Sequence, residues 1–155
     1  MRLSNHALTS GLVISFVSLL VIASQGFADT TNIQVYKTPT CGCCTKWVDH
    51  LREAGFTVDV TELSTLNAVK AINGVPANLA SCHTAIVEGY VIEGHVPASD
   101  VERLLKERPT VAGLAVPGMP MGSPGMEHSD PARHQAYEVV SFGAGGEKIF
   151  SRHKP

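Results

Sequence analysis

A surplus of charge of either sign is missing from this chain. Twelve basic residues stand against 14 acidic ones among 155, a formal charge of −2 at neutral pH. Without a basic stripe the sequence has no electrostatic footprint for nucleic acid, and its short, mixed charge runs read as ordinary solvated surface. There is no internal repeat, no second long apolar run after the amino terminus, and no pair of carboxylates placed for acid–base work. Repeat arrays, multi-span membrane proteins and carboxylate-dyad enzymes are thereby set aside. Cysteine is scarce as well, but its placement is concentrated: all four lie in Cys41-Gly42-Cys43-Cys44 and Ser81-Cys82-His83.

How the thiols should be read depends on the compartment. Residues Gly11 to Ala23 form an apolar run behind Arg2, followed by Gly26-Phe27-Ala28 and then the polar Asp29-Thr30-Thr31-Asn32. This is the anatomy of a secretory signal peptide, with cleavage expected after Ala28. The run of about 13 residues is short of the roughly 20 that span a bilayer, which disfavours an uncleaved anchor. No cysteine follows it closely, against a lipoprotein. Residues 1–28 are therefore expected to be a leader and 29–155 a single domain with one core, periplasmic and without a membrane span after processing. Loss of Arg2 leaves 11 basic residues against 14 acidic ones, a charge of −3.

Ile33 to Lys37 alternates and is β-rich; Thr38-Pro39-Thr40 breaks it. Gly42 to Ala54 places Cys44, Trp47, Val48 and Leu51 at helical spacing, with Gly55 as the stop and Trp47 as a core residue. A second strand over Phe56 to Val60 completes a βαβ opening, with the cysteines between strand and helix. Leu63 to Asn73 predicts a second helix. Thr84 to Glu88 and Tyr90 to Glu93 flank Gly89 as a hairpin, with Glu88 and Glu93 capping its ends. Ser99 to Arg108 predicts a third helix with Ser99 as N-cap. Gly113 to Gly125, rich in Gly, Pro and Met, holds no regular element for long. Tyr137 to Phe142 and Lys148 to Ser151 close the chain as a hairpin. The order fits an α/β, thioredoxin-like sandwich with a C-terminal β-hairpin addition.

Cys41 and Cys44 have C-x-x-C spacing, with Cys43 as an additional thiol. At a helix amino terminus, unsatisfied N–H groups and the dipole favour thiolate, which serves both nucleophile and metal ligand. A redox dithiol leaves Cys43 surplus; a metal site uses it. Cys43 and Cys44 point about 100° apart on a helix, a fan suited to several ions bridged by sulfur. Cys82 is placed to supply a fourth thiolate, and a disulfide staple from Cys82 to the first cluster is the alternative.

The methionines other than Met1 are Met119, Met121 and Met126, all within Pro117 to Met126. Thioethers on a Pro/Gly-held loop present soft ligands for Cu(I), with packing filler as the plainer reading, strongest for Met126. His83 and His95, flanking the hairpin near Cys82, are the first candidates among the histidines. His50, His128, His134 and His153 carry no assigned role.

Tyr36 to Cys44, Ser81-Cys82-His83-Thr84, Glu93-Gly94-His95-Val96-Pro97 and Gly113 to Gly125, in that order, resemble the CopG-type copper-resistance proteins of the bacterial periplasm. The resemblance covers nearly all of 29–155. It implies a thioredoxin-like fold whose cysteines hold a cluster of copper ions, with a role in copper redox conversion or handling beside efflux and resistance proteins. Carried over, the thiolate ligands are Cys41, Cys43, Cys44 and Cys82, with His83, His95, Met119 and Met121 as further ligands. The leading expectation is a periplasmic protein binding several Cu(I) ions, cycling to Cu(II) or coupling copper release to disulfide formation. Zinc also takes four thiolates, but gives no reason for the Met-Pro-Met loop. The competing expectation is a metal-free thiol–disulfide oxidoreductase with Cys41 attacking and Cys44 resolving. A passive copper store or chaperone needs the same ligands.

Overall fold

The structure, a computed structural model, describes residues 31–155; the expected leader 1–28 and its cleavage point lie outside the described residues. Strand β1 (Asn32–Lys37) alternates as anticipated, with Ile33, Val35 and Lys37 buried. Helix α1 (Gly42–Glu53) buries Cys44, Trp47, Val48 and Leu51. It ends where Gly55, at φ 96°, returns its N–H to the Arg52 carbonyl. Strand β2 (Thr57–Glu62) then lies parallel to β1, giving the βαβ opening.

Helix α2 (Asn67–Ile72) is shorter than the expected 63–73. The reason is competition from the sheet and a local turn. Leu63 donates its N–H to the Lys37 carbonyl, continuing the β1–β2 ladder, and Thr65 Oγ1 accepts the Asn67 N–H ahead of the helix. Strands β3 (Thr84–Val87) and β4 (Tyr90–Glu93) form the predicted hairpin. Glu88 and Gly89 both adopt positive φ, as the two-residue turn with matching strand twist demands.

Helix α3 (Ala98–Glu107) begins behind Pro97, so Ser99 lies inside the first turn instead of capping it. The cap comes from another element: the Ala98 N–H donates to His50 Nε2 of α1 at 3.0 Å. Trp47 Nε1 donates to the Val96 carbonyl at 2.8 Å one turn earlier, so α1 and the entry to α3 are tied twice. Strand β5 (Gly113–Ala115) runs parallel to β4 inside a segment expected to hold little regular structure. Strands β6 (Tyr137–Phe142) and β7 (Lys148–His153) form the closing hairpin, with a bulge at Val139/Val140.

The result is a mixed α/β protein with one seven-stranded sheet, ordered β2-β1-β3-β4-β5-β6-β7. Its main core joins Ile33, Val35, Trp47, Leu51, Ile92 and Leu104 with their neighbours. A buried acid fastens the added hairpin. Asp100 of α3 faces His153 Nε2 at 2.6 Å and accepts from Ser151 Oγ at 2.9 Å, while Arg103 lies 3.8 Å over the Phe150 ring. His153, left without a role by the sequence, is thus a link between α3 and β7.

Two outcomes are expected. A Cβ on Gly113 would stand 1.9 Å from the Val91 carbonyl oxygen, a backbone atom of the paired strand. Gly113→Ala should cost about 1–3 kcal/mol or more, read as a lower urea midpoint at unchanged slope. His50 is held below its ordinary value of 6.5 by burial, against the opposing pull of Glu127 and Glu53. The unfolded chain therefore takes up this proton first, so the contribution is complete above pH 6.5 and shrinks as pH falls toward the folded value. His50→Gln, which keeps an acceptor without titrating, should flatten that part of the acid slope in urea titrations from pH 7 to 5.

Candidate metal centre

The antiparallel pairing of β3 with β1 sets Tyr36 beside Thr84. The end of β1 and the start of β3 therefore share one edge of the sheet, and the loops carrying Cys41 and Cys82 meet there. Cys41 is the N-cap of α1, with no side-chain cap hydrogen bond and no acid in the first turn. The orphan N–H groups and the positive end of the helix dipole are left to stabilise negative sulfur.

The Sγ atoms of Cys41, Cys43, Cys44 and Cys82 all lie within 4.8 Å of one another. All four predicted sulfurs are brought together. Cys41 and Cys44 are joined as a disulfide with Cα atoms 5.3 Å apart, while Cys43 and Cys82 are free. The alternative staple from Cys82 to the first cluster is not formed; the bond closes within the helix turn instead. Cys43 Sγ lies 3.5 Å from Cys41 Sγ, and Cys44 Sγ lies 3.8 Å from the Cys82 carbonyl. Burial, then the nearby Cys43 charge, push the Cys82 thiol up to about 11. Four thiolates are available here only after the disulfide is reduced.

Two histidines extend the donor set, and Cys82, His83 and His95 again offer ligand atoms within 4.8 Å. His95 is fully buried, with Nδ1 2.8 Å from the Pro124 carbonyl and Nε2 3.0 Å from Cys82 Sγ. A carbonyl can only accept, so Nδ1 carries the proton and the Nε2 lone pair faces sulfur, the tautomer a metal ligand needs. His83 Nδ1 lies 3.4 Å from Cys82 Sγ, and its Nε2 is buried without a hydrogen-bond partner. Its ring packs against Trp47 at 4.2 Å and edge-on to His95 at 5.0 Å. Burial lowers His83 well below 6.5, with His95 and Lys70 adding to it, and burial also lowers His95. Both are neutral at physiological pH, as ligation requires. The donor set of thiols and neutral imidazoles fits a soft or borderline metal ion.

The methionine loop is pinned around this site. Ser81 Oγ donates to the Gly118 carbonyl at 2.5 Å, and Pro124 engages His95. Gly125 presses so closely on α1 that a Cβ would come within 2.6 Å of the Cys43 carbonyl. Met119, next to Gly118, is 54% exposed, and Met121 is half-buried with its backbone paired to Gln135. Both lie on the loop anchored through Gly118 to Ser81 and through Pro124 to His95, with Met119 turned largely to solvent. His134 packs on Gly122, whose Cβ would meet its ring at 2.9 Å, and His128 Nδ1 accepts the Asp130 N–H. His134 braces the loop, and His128 in turn holds His134.

Sequence reasoning missed the support beneath Cys82. Glu93, expected to cap the hairpin, is fully buried. It accepts from the Ser81 N–H and Thr84 Oγ1 and pairs with Lys70. The available signal was an acid ending a short apolar strand immediately before Gly94-His95.

The family described as a protein of unknown function, DUF411, matches residues 79–126. Among solved structures, the chain is similar to the copper resistance protein CopG in form 2, at 42% identity and a TM-score of 0.76, covering 81% of this chain and 99% of that one. Form 1 gives 41% identity, the same TM-score, and coverage of 82% and 100%. No curated protein matches.

The disulfide and the raised Cys82 thiol set an order of reactivity. With the disulfide intact, an alkylating reagent at pH 8 should label Cys43 first and Cys82 slowly, and spare Cys41 and Cys44. After reduction all four should react, as read by peptide mass spectrometry; rapid labelling of Cys82 ahead of Cys43 would contradict the upward shift of the Cys82 thiol.

Proposed function

Because this chain belongs to the family of the copper resistance protein CopG, we propose that its sulfur centre binds copper and serves copper resistance. The observation that carries this is the convergence of four cysteine sulfurs within 4.8 Å at the start of α1, joined through Cys82 to two neutral histidines. Thiolates and imidazoles without a hard oxygen ligand in either group favour Cu(I) over Mg, Ca or Mn.

In the fuller reading, reduced Cys41, Cys43, Cys44 and Cys82 bridge several Cu(I) ions. His83 and His95 complete the coordination on the Cys82 side, and Met119 and Met121 act at the loop. The disulfide supplies the redox partner. Two thiolates closing to the Cys41–Cys44 bond release two electrons, the number that reduces two Cu(II) to two Cu(I). Disulfide closure also withdraws two sulfur ligands, so copper release and thiol oxidation are coupled in this reading. The order β2-β1-β3-β4, with β3 antiparallel to both neighbours, supports a thioredoxin-like unit to which β5 to β7 are added. Residues 1–28 as a signal peptide and a periplasmic location for 29–155 belong to the same proposal, with efflux or resistance proteins as partners.

The Cys41–Cys44 disulfide at a helix start favours a second reading, a metal-free thiol–disulfide oxidoreductase. The readings part at Cys43 and Cys82. Reduced protein loaded with Cu(I) should hold more than one copper per chain by elemental analysis, with sulfur-dominated coordination by X-ray absorption at the copper edge. Cys43→Ser should lower that count. If wild type binds no copper tightly and reduces disulfides in a manner lost in Cys41→Ser but kept in Cys82→Ser, the oxidoreductase reading replaces the copper one.

A further inference from the structure

One carboxylate holds the chain on both sides of Cys82 and His83. Glu93 Oε1 accepts the Ser81 N–H at 2.5 Å, and Oε2 accepts from Thr84 Oγ1 at 2.7 Å. Cys82 and His83 are the two residues between those anchors. The Glu93 side chain is 0% exposed, so its charge requires a partner, and Lys70 of α2 supplies one at 2.5 Å while also donating to Thr84 Oγ1 at 3.0 Å. Lys70, Thr84 and the carboxylate thus close a ring of hydrogen bonds, with the Ser81 N–H donating into it at Oε1, so that each carboxylate oxygen has a donor.

The surroundings make this clamp rigid. A Cβ on Gly94, the residue after Glu93, would lie 2.5 Å from Ser81 Oγ and 2.7 Å from the Val116 carbonyl, so the Ser81 segment sits directly on the β4 end. Gly94 returns its N–H to the His83 carbonyl at 3.0 Å. Ser81 Oγ reaches across to Gly118, so the segment that carries Cys82 also carries the methionine loop. Buried ion pairs add little net stability relative to a well-packed apolar pair, and breaking one by removing a partner is costly. A buried Lys–Glu pair that also positions two backbone segments is therefore better explained by placement than by stability.

We propose that Glu93, neutralised by Lys70, is the positioning residue of the metal centre: its two carboxylate oxygens fix Ser81 and Thr84, and so set where Cys82 Sγ and the His83 ring stand relative to the α1 sulfurs. The inference rests on the copper-binding reading for its metal readout, though not for its thiol readout. Glu93 touches no sulfur in the cluster. Its effect passes through the two residues it holds.

The test compares Glu93→Gln with Asp100→Asn, which disturbs a buried acid between α3 and β7, away from the sulfurs. Each reduced, full-length variant is titrated with Cu(I) against a chromophoric competitor. Its copper-edge absorption spectrum is recorded, and Cys82 alkylation is timed in the metal-free protein, with thermal midpoints alongside. Glu93→Gln should weaken copper binding by roughly 10–100-fold and lower the sulfur count at copper, as loss of an outer-shell partner does. It should also speed Cys82 alkylation severalfold. Asp100→Asn should lower the midpoint without moving either copper readout. The double variant Glu93→Gln/Lys70→Met, which removes the uncompensated ammonium, should regain stability but not the copper spectrum.

Wild-type copper affinity, spectrum and Cys82 alkylation in a folded Glu93→Gln would overturn the proposal, as would equal copper loss in Asp100→Asn. If Glu93→Gln does not fold, Thr84→Val, which removes one anchor only, should show the same changes at smaller size, and wild-type behaviour there counts against the clamp. Should wild type bind no copper, the function reading fails, and the alkylation comparison alone decides the positioning claim.

Discussion

The antiparallel insertion of β3 between β1 and β4 is the constraint on which the site depends. Parallel strands joined by α1 would by themselves put only the first cysteine cluster at the carboxyl end of β1. Because β3 runs the other way, its beginning lies at that same edge, with Tyr36 opposite Thr84. Residues some forty positions apart in the chain are brought within ligand distance by three ladder pairs. A register slip of one would exchange the faces on which Thr84 and Ala85 lie and carry the Cys82 loop away from the helix start. The burial of Val35, Ala85 and Ile92 in one core guards against that slip.

Among the described residues, two buried acids, Asp100 and Glu93, have different consequences. The Asp100–His153 contact attaches the closing hairpin to α3, a connection between a central helix and the last strand. The Lys70–Glu93 pair instead sits under the sulfur loop, where it orders backbone on either side of Cys82. Neither pair is placed where apolar packing of the main core would be improved by charge. Each occupies a junction where chain segments from distant parts of the sequence must be held in one arrangement.

Much of the organisation was legible in the sequence. The strand–cysteine loop–helix opening, the hairpin at Gly89 and the closing hairpin follow from periodicity and turn residues that act over a few positions. Cys41, Cys43 and Cys44 were recognisable as one centre because clustering at a helix start has a local physical meaning, and the thioredoxin-like layout and the family resemblance added Cys82. Boundaries failed where neighbours from elsewhere intervened. Helix α2 lost its first residues to the β1–β2 ladder and to Thr65, and α3 takes its cap from His50 on another helix. The role of Glu93 was hidden for the same reason, since an acid at the end of a strand reads locally as solvent-facing.

The sequence alone determined the mixed α/β class, the soft-donor character of the centre and the family resemblance, because these reside in residue identity and short-range spacing. Tertiary structure alone decided that Cys41 pairs with Cys44 while Cys43 and Cys82 stay free. It also decided that His95 turns Nε2 to Cys82 because Pro124 takes the other nitrogen, and that Glu93 lies buried with Lys70. These depend on which atoms meet across the sheet edge, and that is fixed by strand order and register, which no local pattern encodes.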